Sequence, residues 1–433
     1  MPPADSGTLP RDAAMDTGTH ADVAIDRGPT PYDAGPPPSC AVMASARHIV
    51  DRPGGDRLAD PAQLLATSDG YLVAARYVEE RAASADGGVD ASADGAVAPS
   101  VTVADRSIVL PLAADGTPRP AVVLRDGVTD ATSLTAPRLH RTMTGALALF
   151  QEVRGSASAP NFLLRLHASA LGNDGAVAST RVARDRVALP DSTAMAAGIF
   201  GTAARVEAVG DGGIVAASPI SLLFDSQGMD ARATDVLLTN SWPLELFDTR
   251  MRTRPDGGAV LVYRRAAQLA FIPFDARGVP EPTGTFDVSG PVVPVLDDAA
   301  VVGDGVVAAW SRNVAGTTEV HVVVAGFDHR ARLDQEIERY SGEGPTTVTV
   351  VPAYGGAALL WRRGVDAAAR VRVAVVAPDG TVRVPARDLV SAPNIEGRLA
   401  VESDGASLSF VARDGVRSDR WGYTFGRACV PTM

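Results

Sequence analysis

Val301–Arg312 reads VVGDGVVAAWSR: a turn dipeptide, Asp304-Gly305, followed by an unbroken apolar strand that ends in Trp310 and Arg312. Variants recur along the chain. Aligned on the glycine that opens the strand, they start at Gly70, Gly145, Gly213, Gly258, Gly305, Gly356 and Gly405. The residue five further on is Ala75, Phe150, Ser218, Tyr263, Trp310, Trp361 or Phe410. Five of those seven are aromatic in a chain that is only 5% aromatic, so the alignment is not chance. Spacings of 75, 68, 45, 47, 51 and 49 residues show an even rhythm in the later copies and insertions in the first two.

A unit of about 40–50 residues is the length of one four-stranded propeller blade. The second half of each unit carries further β-rich runs around an Asp/Gly turn, as in Phe271–Pro280 (FIPFDARGVP), Val373–Val382 (VAVVAPDGTV) and Leu222–Asp230 (LLFDSQGMD). Such pairs are hairpin chemistry, because Gly tolerates positive φ and Asp bonds its own backbone. GVVAAW and GGAALLW are apolar on both faces, which suits inner strands between neighbouring sheets, whereas Arg370–Val376 (RVRVAVV) alternates like an outer strand. No stretch shows a sustained helical stripe or a run long enough to cross a membrane as a helix. The expected fold is all-β: a seven-bladed β-propeller of four-stranded antiparallel blades, with residues 70–76, 145–151, 213–219, 258–264, 305–311, 356–362 and 405–411 as equivalent inner strands. Both termini are expected to close one blade.

Residues 1–39 are rich in Pro, Asp, Ala, Gly and Thr, lack core-forming residues, and are read as a disordered tether. The propeller is expected over residues 40–433, with a low-complexity insertion at about 82–100. Asp86, Asp90 and Asp94 recur every four residues there, which is not the spacing of an EF-hand calcium loop. The chain starts with neither the basic segment nor the apolar run of an export signal, although tethers of this kind commonly follow one.

Cys40 and Cys429 are the only cysteines. Ala41–Val50 set antiparallel beside Trp421–Cys429 would bring them together, so a closing disulfide is the expectation and two free thiols the alternative. The disulfide implies an oxidising, extracytoplasmic setting. Net charge is −11, from 40 basic and 51 acidic residues, which argues against nucleic acid or an anionic membrane as the main partner. All 40 basic residues are Arg, so a Lys nucleophile, Schiff base or P-loop cannot exist here. Nucleophile-elbow, zincin and dinucleotide motifs are also missing. The six histidines have no metal-ligand spacing, and His167 and His321 read as structural residues in strands. No metal or cofactor is expected.

The D-G, V-x-x-W, D-x-x-G pattern resembles the loosely defined repeats of secreted bacterial β-propellers. It runs from about Leu58 to Phe425 and is strongest in VGDGVVAAWSR and AYGGAALLWRR. The dipeptides of WD repeats and the Asp boxes of sialidases are not matched. What the resemblance implies is a tethered surface lipoprotein or an exported binding module.

Arg265, Arg312 and Arg363 lie seven residues past the aligned glycine in three successive units, and Arg264 and Arg362 double the charge in two. They read either as a cationic arc for carboxylates, sulfated glycans or an acidic partner, or as struts paired to acids of neighbouring blades. The functional expectation is a non-catalytic, monomeric binding or scaffolding module whose partner is an unknown protein or glycan at one face of the disc. Peripheral membrane tethering through the N-terminus fits this setting. The alternative is a hydrolase or lyase acting on a glycan with paired acids at one mouth of the tunnel.

Overall fold

The computed structural model describes residues 45–53, 56–58, 61, 63–82, 100–127, 132–154, 163–185, 187–195, 198–209, 213–224, 230–235, 249–265, 268–276, 278–281, 284–287, 295–328, 330–341, 346–353, 355–405, 407–417 and 420–429. The tether, most of the 82–100 insertion and Cys40 lie outside these. The described residues fold as an all-β propeller, whose one helical element is the three-residue turn Asp366–Ala368.

Six sheets are versions of one blade. They are blade A (residues 56–127), blade B (132–185), blade C (249–287), blade D (298–341), blade E (349–391) and blade F (395–429). In each the glycine-aligned strand is second from the axis, an inner position that these six strands share. The innermost strands are the short runs before it: Gln63–Thr67, Arg138–Thr142, Thr249–Thr253, Asp298–Val302, Thr349–Ala353 and Ile395–Ser403.

The expectation of seven equivalent four-stranded blades is wrong: six sheets repeat the blade. Blades A and B each have five strands, because Asp56–Leu58 and Thr132–Leu134 pair with the second strand beyond the end of the innermost one. The remaining sheet, residues 187–235, does not repeat the pattern. Its glycine strand, Gly213–Phe224, is third, and Gly198–Val209 takes second place. Ser218 therefore lies on a third strand, whereas the other six aligned residues lie on second strands. Arg370–Val376 is likewise third rather than outermost, with Val371 and Val373–Val376 buried.

The termini share blade F. Ser45–Pro53 pairs antiparallel with Arg420–Cys429, Ser45 opposite Arg427. Cys429 ends that strand, and Cys40, its expected disulfide partner, lies outside the described residues.

Packing explains the two-faced apolar strands. Val306, Ala308 and Trp310 pack against Val260, Val262 and Phe271 of blade C. Val307 and Ala309 face blade E, in a cluster with Leu359 and Trp361. Phe150, Trp310, Trp361 and Phe410 are all nearly or fully buried, so in these four units the aromatic fills the seam between two blades.

The aligned glycine has a reason beyond turn chemistry. A Cβ on Gly305 would stand 2.3 Å from the Ala325 carbonyl oxygen. On Gly258 and Gly356 it would stand 2.2 Å from the Phe274 and Val376 oxygens. The backbone of the third strand closes over the start of the second at each site. The Asp-Gly turns proper lie one hairpin later: Asp379 Oδ1 accepts from Thr381 N at 2.8 Å, and Gly380 has φ +89°. Gly305→Ala is therefore expected to destabilise by about 1–3 kcal/mol, as overpacking does, read as a lower urea midpoint with unchanged slope. Gly316→Ala separates strain from collision, because Gly316 has φ +80° and open space for a Cβ whereas Gly305 has no positive φ and meets a carbonyl.

Candidate functional site

Innermost strands of a propeller are sheet edges, with backbone groups that no further strand pairs. Here side chains pair them across the blades, in three blades from the position seven residues before the aligned glycine. In blade A that residue is Gln63, whose carboxamide donates to Leu139 O at 2.8 Å and accepts from Leu139 N at 2.7 Å in blade B. In blade D it is Asp298, whose Oδ2 accepts from Val350 N of blade E at 3.0 Å. In blade E it is Thr349, which donates to Leu399 O of blade F at 2.7 Å. Blade C has Met251 there, and Arg252 beside it takes the task by donating to Ala299 O at 2.7 Å. Arg250 reaches Asp297 O at 2.6 Å. His140 Nε2 and Ser192 Oγ share a hydrogen bond of 2.7 Å, and Thr193 and Thr253 hydroxyls share one of 2.6 Å, which joins the sheet 187–235 to its neighbours.

Asp298 is the junction of this ring. Its side chain is 3% exposed, with Arg252 bonded to Oδ1, Arg250 at 3.7 Å and Arg398 of blade F at 3.5 Å. Burial alone would raise its pKa, but the three guanidinium groups and the Val350 N–H hold it below the usual carboxylate value. Asp297 next to it is pushed up to about 7 by burial, against the pull of N–H donors from Val348 and Ser311.

The same strands enclose a channel of about 370 Å³. Four arginines line it, Arg138, Arg141, Arg252 and Arg398, against two carboxylates, Asp298 and Glu402. Most of these groups are engaged in the blade-to-blade links. Arg141 is the open one, 60% exposed at the side chain, donating to Ala66 O at 2.8 Å and lying 3.5 Å from Glu402 Oε1. Glu402 is pushed up to about 7 by its enclosure in the channel. Arg141 and the Ala66 N–H lower it in part, and Asp404 adds to the rise.

The arginine arc is placed differently. Arg312 Nε donates to Glu319 Oε2 at 2.5 Å within blade D. Arg363 reaches Glu338 of blade D at 3.1 Å and stacks over Tyr340. The side chain of Arg265 lies outside the described residues. Arg362 donates to Gly364 O. Two of the three arginines thus already hold a glutamate. His167 and His321 are buried, stacked face to face on Phe150 and Trp310 directly opposite them in the ladder, and bonded to Glu152 and Glu319. Burial lowers the His167 pKa, so its neutral ring donates to Glu152, and that hydrogen bond, followed by Arg125 and Arg154, holds Glu152 below the usual carboxylate value despite burial. Glu319, His321 and Glu336 come within 4.8 Å of one another, a distance that would suit a metal. Arg312 and Arg339 sit on the same carboxylates and balance their charge.

The channel residues escaped the sequence reading. Their signal is positional: five of the six residues seven before the blade glycines are polar, yet they are Gln, Arg, Asp, Thr and Arg, so no motif of residue type exposes them.

No family model and no curated protein matches the chain. Among solved structures it is similar to a protein of unknown function from Dyadobacter fermentans, at 11% identity and a TM-score of 0.45 over 89% of this chain and 99% of that one. It is similar to NanB sialidase from Streptococcus pneumoniae at 7% identity and a TM-score of 0.44, over 88% of this chain and 70% of that one. For the Malassezia sympodialis allergen Mala s 1 the values are 9% and 0.38, over 66% of this chain and 92% of that one. At these values the likenesses carry no inference about activity.

Glu402 binds its proton more tightly in the folded chain than a free glutamate, whose pKa is about 4.3. Its contribution to stability is full below that value and fades as pH rises through about 7. Glu402→Gln is expected to raise the melting temperature at about pH 8 and to change it little at about pH 5. Equal effects at both pH values would contradict the enclosure of this carboxyl.

Proposed function

We propose that the protein is a non-catalytic, extracytoplasmic binding module, closed by a Cys40–Cys429 disulfide, whose small polar ligand enters the central channel. The observation that carries this reading is how the channel's polar groups are used. Glycoside hydrolysis needs two carboxyl groups free to act on either side of a bond. Among the described lining residues only Asp298 and Glu402 are acids, and Asp298 is held by arginines of two other blades and by a backbone N–H. One titratable acid remains, in a cavity whose size falls in the roughly 300–1,000 Å³ range of small-molecule sites.

A screen of acidic and neutral mono- and disaccharides by thermal shift and calorimetry tests this. The expected result is saturable binding at one site per chain, lost in Thr253→Trp, which places an indole in the channel from an exposed position. Release of reducing ends from any bound sugar, abolished by Glu402→Gln, would replace binding with hydrolysis. Binding that survives Thr253→Trp unchanged would place the site elsewhere.

A further inference from the structure

Arg141 differs from the other arginines of the channel. Arg252 is 28% exposed and bonded to Asp298, and Arg398 is 23% exposed and 3.5 Å from that same buried carboxylate, whereas Arg141 is 60% exposed, donates to Ala66 O, and lies 3.5 Å from the more open Glu402, wider than a formed charge-assisted hydrogen bond. Arg141 belongs to blade B and Glu402 to blade F, so the pair spans the whole width of blade A at the channel wall. The lining as a whole carries two positive charges in excess, in a protein of net charge −11.

The strands packed on Glu402 supply little else that titrates. Gln63–Thr67 and Thr349–Ala353 have no ionisable side chain. On Gly356–Arg363 the charges are Arg362 and Arg363, bonded to Gly364 O and Glu338. On Ser407–Arg417 they are Arg413, Asp414 and Arg417, at the opposite end of the ladder from Ser409, the partner of Glu402. Arg413 holds Glu396 and Asp414 holds Thr424. On the strand of Glu402 itself, Arg398 is directed to Asp298. Arg141 and Asp404 are therefore the charges that govern it.

Resting on the reading of the channel as a binding site, we propose that its ligand carries a carboxylate, which Arg141 receives in place of the Glu402 carboxylate, and that Glu402 takes up one proton as the ligand binds. The loose pair marks the place: a guanidinium open to the cavity, already set opposite a carboxyl group, able to form two parallel N–H···O bonds with a better placed one. An ionised Glu402 beside the incoming carboxylate would repel it. A protonated Glu402 is neutral and can donate its O–H to the same ligand. Because this carboxyl titrates at about 7, the exchange lies within ordinary pH.

Calorimetry of the full chain with D-glucuronate and with D-glucose, at about pH 6 and pH 8, tests the proposal. Glucuronate is expected to bind and glucose not. The affinity for glucuronate should fall by about tenfold per pH unit above 7 and level off below it, as uptake of one proton requires. Arg141→Gln should weaken glucuronate more than tenfold with an unchanged melting temperature, while Glu402→Gln should keep binding and abolish its pH dependence. Equal binding of both sugars, or an affinity for glucuronate that is the same at both pH values, would overturn the carboxylate and proton assignment and leave the channel reading in place. Binding of neither sugar, with a neutral ligand from the screen still displaced by Thr253→Trp, would do the same. If nothing in the screen depends on Thr253→Trp, the channel reading itself falls.

Discussion

A propeller has to finish its blades at the axis, and there the backbone of each innermost strand has no neighbour to bond. Everything else in this molecule is arranged around that shortage. Leaving buried backbone groups unpaired costs about 1–3 kcal/mol each, and seven sheets meet at this one place. The chain answers with side chains that imitate a strand. Gln63 gives and takes one hydrogen bond with Leu139, as a paired residue would. Asp298 and Thr349 each supply one such bond to the next blade. Arg250 and Arg252 cover carbonyl oxygens of blade D.

Asp298 shows how packing and electrostatics are joined here. Breaking a buried ion pair by removing one partner is strongly destabilising, because the other charges stay behind unpaired. Asp298 stands among charges from blades C and F and a donor from blade E, so it ties together four blades that share no backbone pairing with one another. The same economy shapes the possible function. Once arginines and acids are committed to the links, the channel is left with Arg141 and Glu402 as its open charges.

Much of the blade was legible in sequence, since the glycine, the two-faced apolar run and the aromatic five residues on obey steric demands that few residue types meet. Gly305 lies under a carbonyl, and Trp310 fills a seam. The place of that strand was not legible, because a short innermost strand such as Thr349–Ala353 has no pattern of its own. Gly213 is the exception: a glycine before an apolar run marks a hairpin but not which hairpin of the sheet, and the lack of an aromatic at Ser218 is shared by Ala75, whose strand is regular. The arginine arc was chosen for its regular spacing. The residues lining the channel have regular spacing too, but several chemistries satisfy one backbone group, so residue identity varies where position does not.

The central claim is that Asp298 couples blades that do not touch through their backbones. A double-mutant cycle between Asp298→Asn and Arg398→Gln, by urea unfolding near neutral pH, measures it most directly. A favourable coupling of about 1–3 kcal/mol is the predicted result, although blade E stands between the two residues. Additive losses, with a coupling indistinguishable from zero, would contradict the account.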